Sequence, residues 1–196
     1  NGGTGTDSLT YDDDGNTISI TGSGVGSAAD AAFSGIEVVT GGSGTDNITI
    51  VAGGSVTTIN GGTGTDSLTY DNSGQTITIT GAGTGSSADA SFTGIEDIFG
   101  GDGADTFEFG ATAAVNVDGG AGADVFNLDE DLTGTITGGA DADTFNALGG
   151  TATSVTGGSS GTDTDTLVGP ATGSAINITA SDTVNVGGGQ SYTDIE

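Results

Sequence analysis

The chain has 196 residues, among them 27 acidic residues and no Lys, Arg or His, so its formal charge is −27. Without Lys or Arg it has no cationic patch for phosphate groups, which argues against binding to nucleic acids or to anionic membrane surfaces. Since Lys, His and Cys are all absent, a Ser-His-Asp triad, a Cys-His pair, a Schiff-base lysine and a His or Cys zinc site are impossible. Composition leaves a glycosidase-like pair of carboxylates open, but no other feature points to one, and we expect no enzymatic activity.

The sequence repeats at a nearly fixed interval along its length. Successive glycine-rich turns start 19 or 20 residues apart, and the stretch after the last start has room for two more units. Residues 2–40 also match residues 61–99, which indicates a higher-order duplication. A period this regular is typical of stacked copies of one supersecondary unit. We therefore expect a single repeat domain over residues 1–196, as a segment of a longer chain. The turns start at Gly2, Gly22, Gly41, Gly61, Gly81, Gly100, Gly119, Gly138 and Gly157.

Each unit contains short segments in which apolar and polar residues alternate. In the unit that starts at Gly119, alternation places Phe126 and Leu128 on one face of a strand, and Ile136 marks a second strand. The abundant Gly, Thr, Ser and β-branched residues disfavour helix. Two strands and two turns per unit predict an all-β fold, a parallel β-solenoid (β-roll-like) of about ten coils of 19–20 residues. The other apolar positions are Leu9/Tyr11, Ile18/Ile20, Ile48/Ile50, Leu68/Tyr70, Ile77/Ile79, Phe107/Phe109, Val115/Val117 and Phe145/Ala147.

The most specific motif is GGxGxD followed by alternating apolar residues. Its glycines permit the positive φ angles of a tight turn and leave the backbone carbonyls unobstructed, and its Asp adds a charged oxygen. Stacked turns would gather carboxylates and carbonyls into an all-oxygen cage that suits Ca²⁺ better than Mg²⁺. With no basic residue available, such a column of carboxylates would otherwise repel itself; solvated turns or Asx turns are the alternative. The motif ends at Asp7, Asp46, Asp66, Asp105 and Asp124, with variants at Asp143 and at Asp163 and Asp165.

These turns resemble the hemolysin-type (RTX-like) calcium-binding repeat of bacterial secreted and surface proteins, whose nonapeptide is GGxGxDxUx. In that family the Asp side chain and the turn carbonyls bind Ca²⁺ between successive coils. The resemblance implies metal ligands at Asp7, Asp46, Asp66, Asp105, Asp124, Asp143, Asp163 and Asp165, and about three to six Ca²⁺ ions. The turn on the opposite side of each coil departs from the family pattern. This departure suggests a calcium ladder on one side only, as in the 19-residue repeats of some giant adhesins.

The expected ladder has gaps in the units that start at Gly22 and Gly81, where Ser27 and Ser86 occupy the ligand position. Uninterrupted neighbours are therefore Asp46 with Asp66, and Asp105 through Asp124 and Asp143 to the region of Asp163. The two interrupted units share a segment that reads F[ST]GIE, for which we expect a role in turns and core packing through Phe33, Ile36, Phe92 and Ile95. Further candidate ligands, for which a solvated face is the favoured interpretation, are Asp30, Asp89, Glu37 and Glu96.

The leading functional hypothesis is a structural, calcium-stabilised module of an extracellular or cell-surface bacterial protein, such as an S-layer, an adhesin stalk or a filament subunit. Its expected partners are calcium and further coils or copies of itself, stacked end to end, with no membrane insertion because no stretch approaches ~18 apolar residues. One alternative is an ice- or surface-ligand-binding solenoid, since a partial array is formed by Thr4/Thr6, Ser43/Thr45 and Thr63/Thr65. The later turns do not continue this array, because they have Asp102/Ala104, Ala121/Ala123 and Ala140/Ala142 at these positions. Another is the repeat tail of a secreted enzyme. Fold resemblance does not choose among these hypotheses.

Overall fold

The structure, a computed structural model, describes residues 1–12, 14–29, 31–150, 152–160, 164–169 and 185–187. These residues form strands and turns without any helix, so no helix among them is long and apolar enough to cross a membrane. The strands lie in two sheets. The 11-stranded sheet contains, in chain order, β1 (Ser8–Thr10), β5 (Val38–Ser43), β7 (Thr58–Thr63), β9 (Thr76–Gly81), β10 (Thr84–Ser86), β11 (Ser91–Thr93), β13 (Thr106–Phe109), β15 (Val125–Leu128), β17 (Thr144–Ala147), β19 (Thr166–Val168) and β20 (Asn185–Gly187). The 9-stranded sheet contains β2 (Thr17–Gly22), β3 (Val25–Ala28), β4 (Ala31–Ser34), β6 (Asn47–Ile50), β8 (Ser67–Thr69), β12 (Asp97–Gly101), β14 (Asn116–Ala121), β16 (Leu132–Ala140) and β18 (Ala152–Ser160).

Most strands pair in parallel with the equivalent strand one unit later. Phe107 pairs with Phe126, and Phe126 pairs with Phe145, so equivalent residues stack directly. From β12 to β19 the chain alternates strictly between the two sheets. The expectation of an all-β fold with long parallel stacks is confirmed.

Two segments do not add a parallel coil. Around Gly22 and Gly81, β2–β3–β4 and β9–β10–β11 form antiparallel hairpins, each set within a single sheet. Each first hairpin turns at a glycine with positive φ, 62° at Gly24 and 61° at Gly83, where the two-residue link leaves no room for a crossing. The hairpins interrupt the expected succession, and ten uniform coils are not confirmed.

The core lies between the sheets and forms one continuous cluster. Alternation predicts its members correctly, because the apolar pairs from Ile18/Ile20 to Phe145/Ala147 are buried, and only Leu9 and Tyr11 are partly buried. Phe126 stacks between Phe107 and Phe145 with ring centroids 5.0 and 4.9 Å apart and nearly parallel planes. The F[ST]GIE segments also pack as expected, since Phe33, Ile36, Phe92 and Ile95 are all buried.

Candidate metal centre

The two adjacent glycines of each turn have different structural roles. A Cβ on Gly41, the first glycine, would lie only 2.5 Å from the Gly61 carbonyl oxygen and would overlap Asp46 Oδ2. Gly42, the second glycine, has φ 120°, a left-handed conformation that side chains disfavour. The double glycine therefore allows the turns to stack closely and lets a carboxylate lie against the backbone.

The aspartates of the motif are buried. Six of them are no more than 3% exposed, namely Asp46, Asp66, Asp105, Asp124, Asp143 and Asp165, while Asp7 is half-buried. Asp163 lies outside the described residues. A carboxylate in this position needs hydrogen bonds or a counter-charge, because burial of an isolated charge is costly.

In four of these aspartates, one carboxylate oxygen accepts a backbone N–H from the preceding GGxGxD turn. The Asp46 N–H donates to Asp66 Oδ1 over 2.8 Å. The Asp105 N–H donates to Asp124 Oδ1 (2.7 Å), and the Asp124 N–H donates to Asp143 Oδ1 (2.8 Å). The Asp143 N–H in turn donates to Asp165 Oδ1 (2.9 Å). These bonds form a carboxylate ladder, and they confirm the predicted neighbours Asp46 with Asp66 and Asp105 with Asp124 and Asp143.

In five of the motif aspartates, the other carboxylate oxygen lacks a hydrogen-bond donor within the described residues. The Oδ2 atoms of Asp7, Asp46, Asp66, Asp105 and Asp124 are buried and accept no hydrogen bond within the described part of the chain. Around Gly119, an added Cβ would lie 2.5 Å from the Gly138 carbonyl oxygen and would overlap Asp124 Oδ2, so these two acceptors are close neighbours. Two uncompensated acceptors held close together repel unless a cation or a proton neutralises one of them.

Asn16 shows how the same position is satisfied by a neutral side chain. Its backbone N–H donates to Asp46 Oδ1 over 2.7 Å, so it occupies the ladder position before Asp46. Its amide Nδ2 donates to the Gly41 carbonyl oxygen over 3.1 Å and to Asp46 Oδ1 over 2.9 Å. At Asn16 an amide thus donates a hydrogen bond to the Gly41 carbonyl oxygen. At Asp46, in contrast, a carboxylate oxygen without a donor lies near the Gly61 carbonyl oxygen.

Burial raises the pKa of three carboxyls of the ladder. It raises the pKa of Asp105 to about 6 and that of Asp124 to about 7, despite the backbone N–H that each accepts. Burial is also the main cause of the raised pKa of Asp66, to which the charges of Asp46 and Glu96 contribute. These three carboxyls therefore hold a proton more readily than exposed aspartates do.

The aspartates are divided between two edges, which corrects the expected one-sided ladder. The turns of Asp46 and Asp66 lead from the 11-stranded to the 9-stranded sheet. Those of Asp105, Asp124 and Asp143 lead back in the other direction. The chain crosses from β8 to β9 and then spends β10 and β11 in the same sheet, so the next GGxGxD turn falls on the opposite edge.

Two glutamates that we expected to be solvated belong to this hydrogen-bond pattern. Glu37 Oε2 accepts the Asp7 N–H over 2.8 Å, and Glu96 Oε2 accepts the Asp66 N–H over 2.9 Å. The sequence signal for them was the identical position of the GIE segment, 30 residues after each Asp. Of the other two candidates, Asp89 is half-buried and Asp30 lies outside the described residues.

The donor set fits a hard cation that accepts carbonyl oxygens. Within the described residues, no three or more His, Cys, Asp or Glu side chains cluster as a metal site, so carboxylates alone do not complete a coordination shell. Carboxylate oxygens and stacked glycine carbonyls together supply oxygen ligands, the type that Ca²⁺ takes in numbers of 6–8. No protein-family model matches the chain, and a search of curated proteins finds no match.

Proposed function

We propose that the chain is a calcium-stabilised β-solenoid module with a structural role in an extracellular or cell-surface bacterial protein. The observation that carries this proposal is the pairing of a buried carboxylate oxygen with a glycine carbonyl, repeated from turn to turn, in a chain without cationic side chains. A divalent cation between the turns removes the repulsion and neutralises part of the charge of −27.

Calcium is the cation that this environment favours. It accepts six to eight oxygens at about 2.3–2.6 Å in flexible geometries, while Mg²⁺ needs near-ideal octahedral geometry and keeps several waters. The residues that would hold Ca²⁺ are Asp7, Asp46, Asp66, Asp105, Asp124, Asp143 and Asp165 with the adjacent turn carbonyls, and Asp163 remains a candidate. We infer about three to six ions per chain, because each ion lies between neighbouring turns.

The architecture supports a structural and not a catalytic role. Parallel stacks wound around a narrow core match a solenoid with two hairpin interruptions, and such a solenoid is a rigid spacer. The buried aspartates of the GGxGxD motif lie in the turns, where they join neighbouring repeat units. The module would bind calcium and further coils or copies end to end, as an S-layer, adhesin stalk or filament subunit does.

Thermal unfolding tests the proposal. We expect 5 mM CaCl₂ to raise the melting temperature by more than about 10 °C over EDTA, since each site at 100 Kd contributes about 2.7 kcal/mol. Any salt screens the acidic surface, so the control is MgCl₂ at equal concentration, which should give a smaller rise. Equal effects of Ca²⁺ and Mg²⁺ would contradict a calcium site.

A further inference from the structure

The carboxylate ladder does not end on an aspartate at the turn of Asp66. Asp66 Oδ1 accepts the Asp46 N–H over 2.8 Å, and Glu96 Oε2 accepts the Asp66 N–H over 2.9 Å. Glu96 therefore accepts the backbone N–H of Asp66 in the same way as Asp66 accepts that of Asp46. It is half-buried and follows Gly94 and Ile95 in the GIE segment.

The backbone of the GIE segment also replaces the next glycine turn. A Cβ on Gly61 would lie 2.6 Å from Asp66 Oδ2 and would overlap the Gly94 carbonyl oxygen. Gly94 thus presents its carbonyl to Asp66 as Gly61 presents its own to Asp46. Asp66 is fully buried and its Oδ2 accepts no hydrogen bond within the described part of the chain, so this end of the ladder also faces a carbonyl with a bare carboxylate oxygen.

The same arrangement occurs a second time, at the opposite edge of the sheets. Glu37 Oε2 accepts the Asp7 N–H over 2.8 Å. A Cβ on Gly2 would lie 2.7 Å from Asp7 Oδ2 and would overlap the Gly35 carbonyl oxygen. Asp7 Oδ2 is again buried without a hydrogen-bond partner within the described residues. The duplication of residues 2–40 in residues 61–99 thus places the same arrangement at both edges of the sheets.

We propose that Glu96 and Glu37 are calcium ligands, each closing one end of a ladder together with the carbonyl of the preceding glycine and with Asp66 or Asp7. Glu96 stands in the same strand register as the ladder aspartates, because Asp97 pairs with Ser67 as Ser67 pairs with Asn47. Glu37 stands in this register toward Asp7, since Val38 pairs with Ser8. This assignment rests on the proposed calcium binding and extends it to residues outside the GGxGxD motif.

Glutamine substitution separates the metal role from the hydrogen bond. In Glu96→Gln the side-chain oxygen still accepts the Asp66 N–H, while the negative charge is lost. We expect equilibrium dialysis against CaCl₂ to show one tightly bound ion fewer in Glu96→Gln, one fewer in Glu37→Gln and two fewer in the double variant. The matched control is Glu108→Gln, because Glu108 lies away from the ladder and its Oε1 accepts a hydrogen bond from the Asn127 amide over 2.8 Å. This variant should bind as many Ca²⁺ ions as the wild type.

The outcomes distinguish this assignment from the broader proposal. If the wild type binds calcium and both glutamine variants bind the same number of ions with the same affinity, the glutamates only accept hydrogen bonds and this assignment is overturned. If the wild type binds no calcium, both proposals are overturned. Circular dichroism in EDTA checks folding of each variant, and the two separate sites keep the test decisive if one variant fails to fold.

Discussion

Replacing Asp124 with Asn should change stability in opposite directions with and without calcium. The Asn oxygen can still accept the Asp105 N–H, now made to Asp124 Oδ1 over 2.7 Å. The new amide group would face the Gly138 carbonyl oxygen, as the amide of Asn16 faces the Gly41 carbonyl oxygen at 3.1 Å. The substitution thus removes a buried charge and supplies a donor where the wild type has none.

The size of the effect follows from the raised pKa of this carboxyl. Burial raises the pKa of Asp124 from 3.8 to about 7. Since each pKa unit corresponds to about 1.4 kcal/mol, the charged carboxylate costs roughly 4 kcal/mol of folding free energy at high pH. Solvent near the turn screens the charge, so we expect about 2 kcal/mol of stabilisation in EDTA at pH 8. In saturating calcium the lost ligand should instead destabilise the variant by about 2–3 kcal/mol.

The assay is chemical denaturation of the wild type and of Asp124→Asn, each in EDTA and in 5 mM CaCl₂ at pH 8. Asp129→Asn is the matched control, because Asp129 is exposed and lies outside the GGxGxD turns, so its effect should be small in both buffers. A variant that is destabilised by the same amount in both buffers would refute the idea that Asp124 is an uncompensated charge awaiting a cation.

Three further predictions concern the same turns. In EDTA the melting temperature should rise as the pH is lowered from 8 to 5. Burial raises the pKa of Asp105 to about 6 and that of Asp124 to about 7, both above the unfolded value of 3.8, so the folded state binds more protons than the unfolded state in this window. A lower melting temperature at pH 5 would contradict buried, uncompensated carboxyls. Gly119→Ala should lower the free energy of unfolding by about 2 kcal/mol or more and weaken calcium binding, because the new Cβ would overlap Asp124 Oδ2. Chemical denaturation and equilibrium dialysis measure these two effects. An unchanged stability and calcium affinity would contradict the close approach of Asp124 to Gly119. Asp141→Gly should raise the free energy of unfolding in EDTA by about 1 kcal/mol, because the backbone of Asp141 has φ 74°, which is strained for a residue other than glycine. A lower free energy of unfolding in chemical denaturation would contradict this strain.

Much of the fold follows from local patterns in the sequence. Alternation identifies the inward residues Phe107, Phe126 and Phe145, because each strand has one buried face. The GGxGxD motif identifies the buried aspartates, because close stacking of turns needs glycine wherever a carboxylate or a carbonyl lies against Cα. These features depend on residues within one unit and its immediate neighbour.

The hairpins were not predictable from the period, because their units have the same length as a coil. The relevant signal is Gly26, which pairs with Phe33 in the antiparallel sheet: a Cβ there would overlap the Phe33 ring. The edge at which each GGxGxD turn lies depends on how often the chain has crossed between the sheets, and each set of hairpins changes that number. A sequence analysis that misses one set of hairpins therefore assigns every later turn to the wrong edge. The contacts of Glu37 and Glu96 were not predicted because these residues follow the hairpins.

Direct calcium binding by the unmodified chain is the most decisive measurement. Equilibrium dialysis at pH 7.5 and physiological ionic strength should show about three to six Ca²⁺ ions per molecule, retained in the presence of equimolar Mg²⁺. Saturable binding at that stoichiometry, accompanied by a higher melting temperature, is the result that we predict. Binding that is weak, unsaturable and abolished by NaCl would mean that calcium only screens the acidic surface, and would contradict the proposed metal ladder.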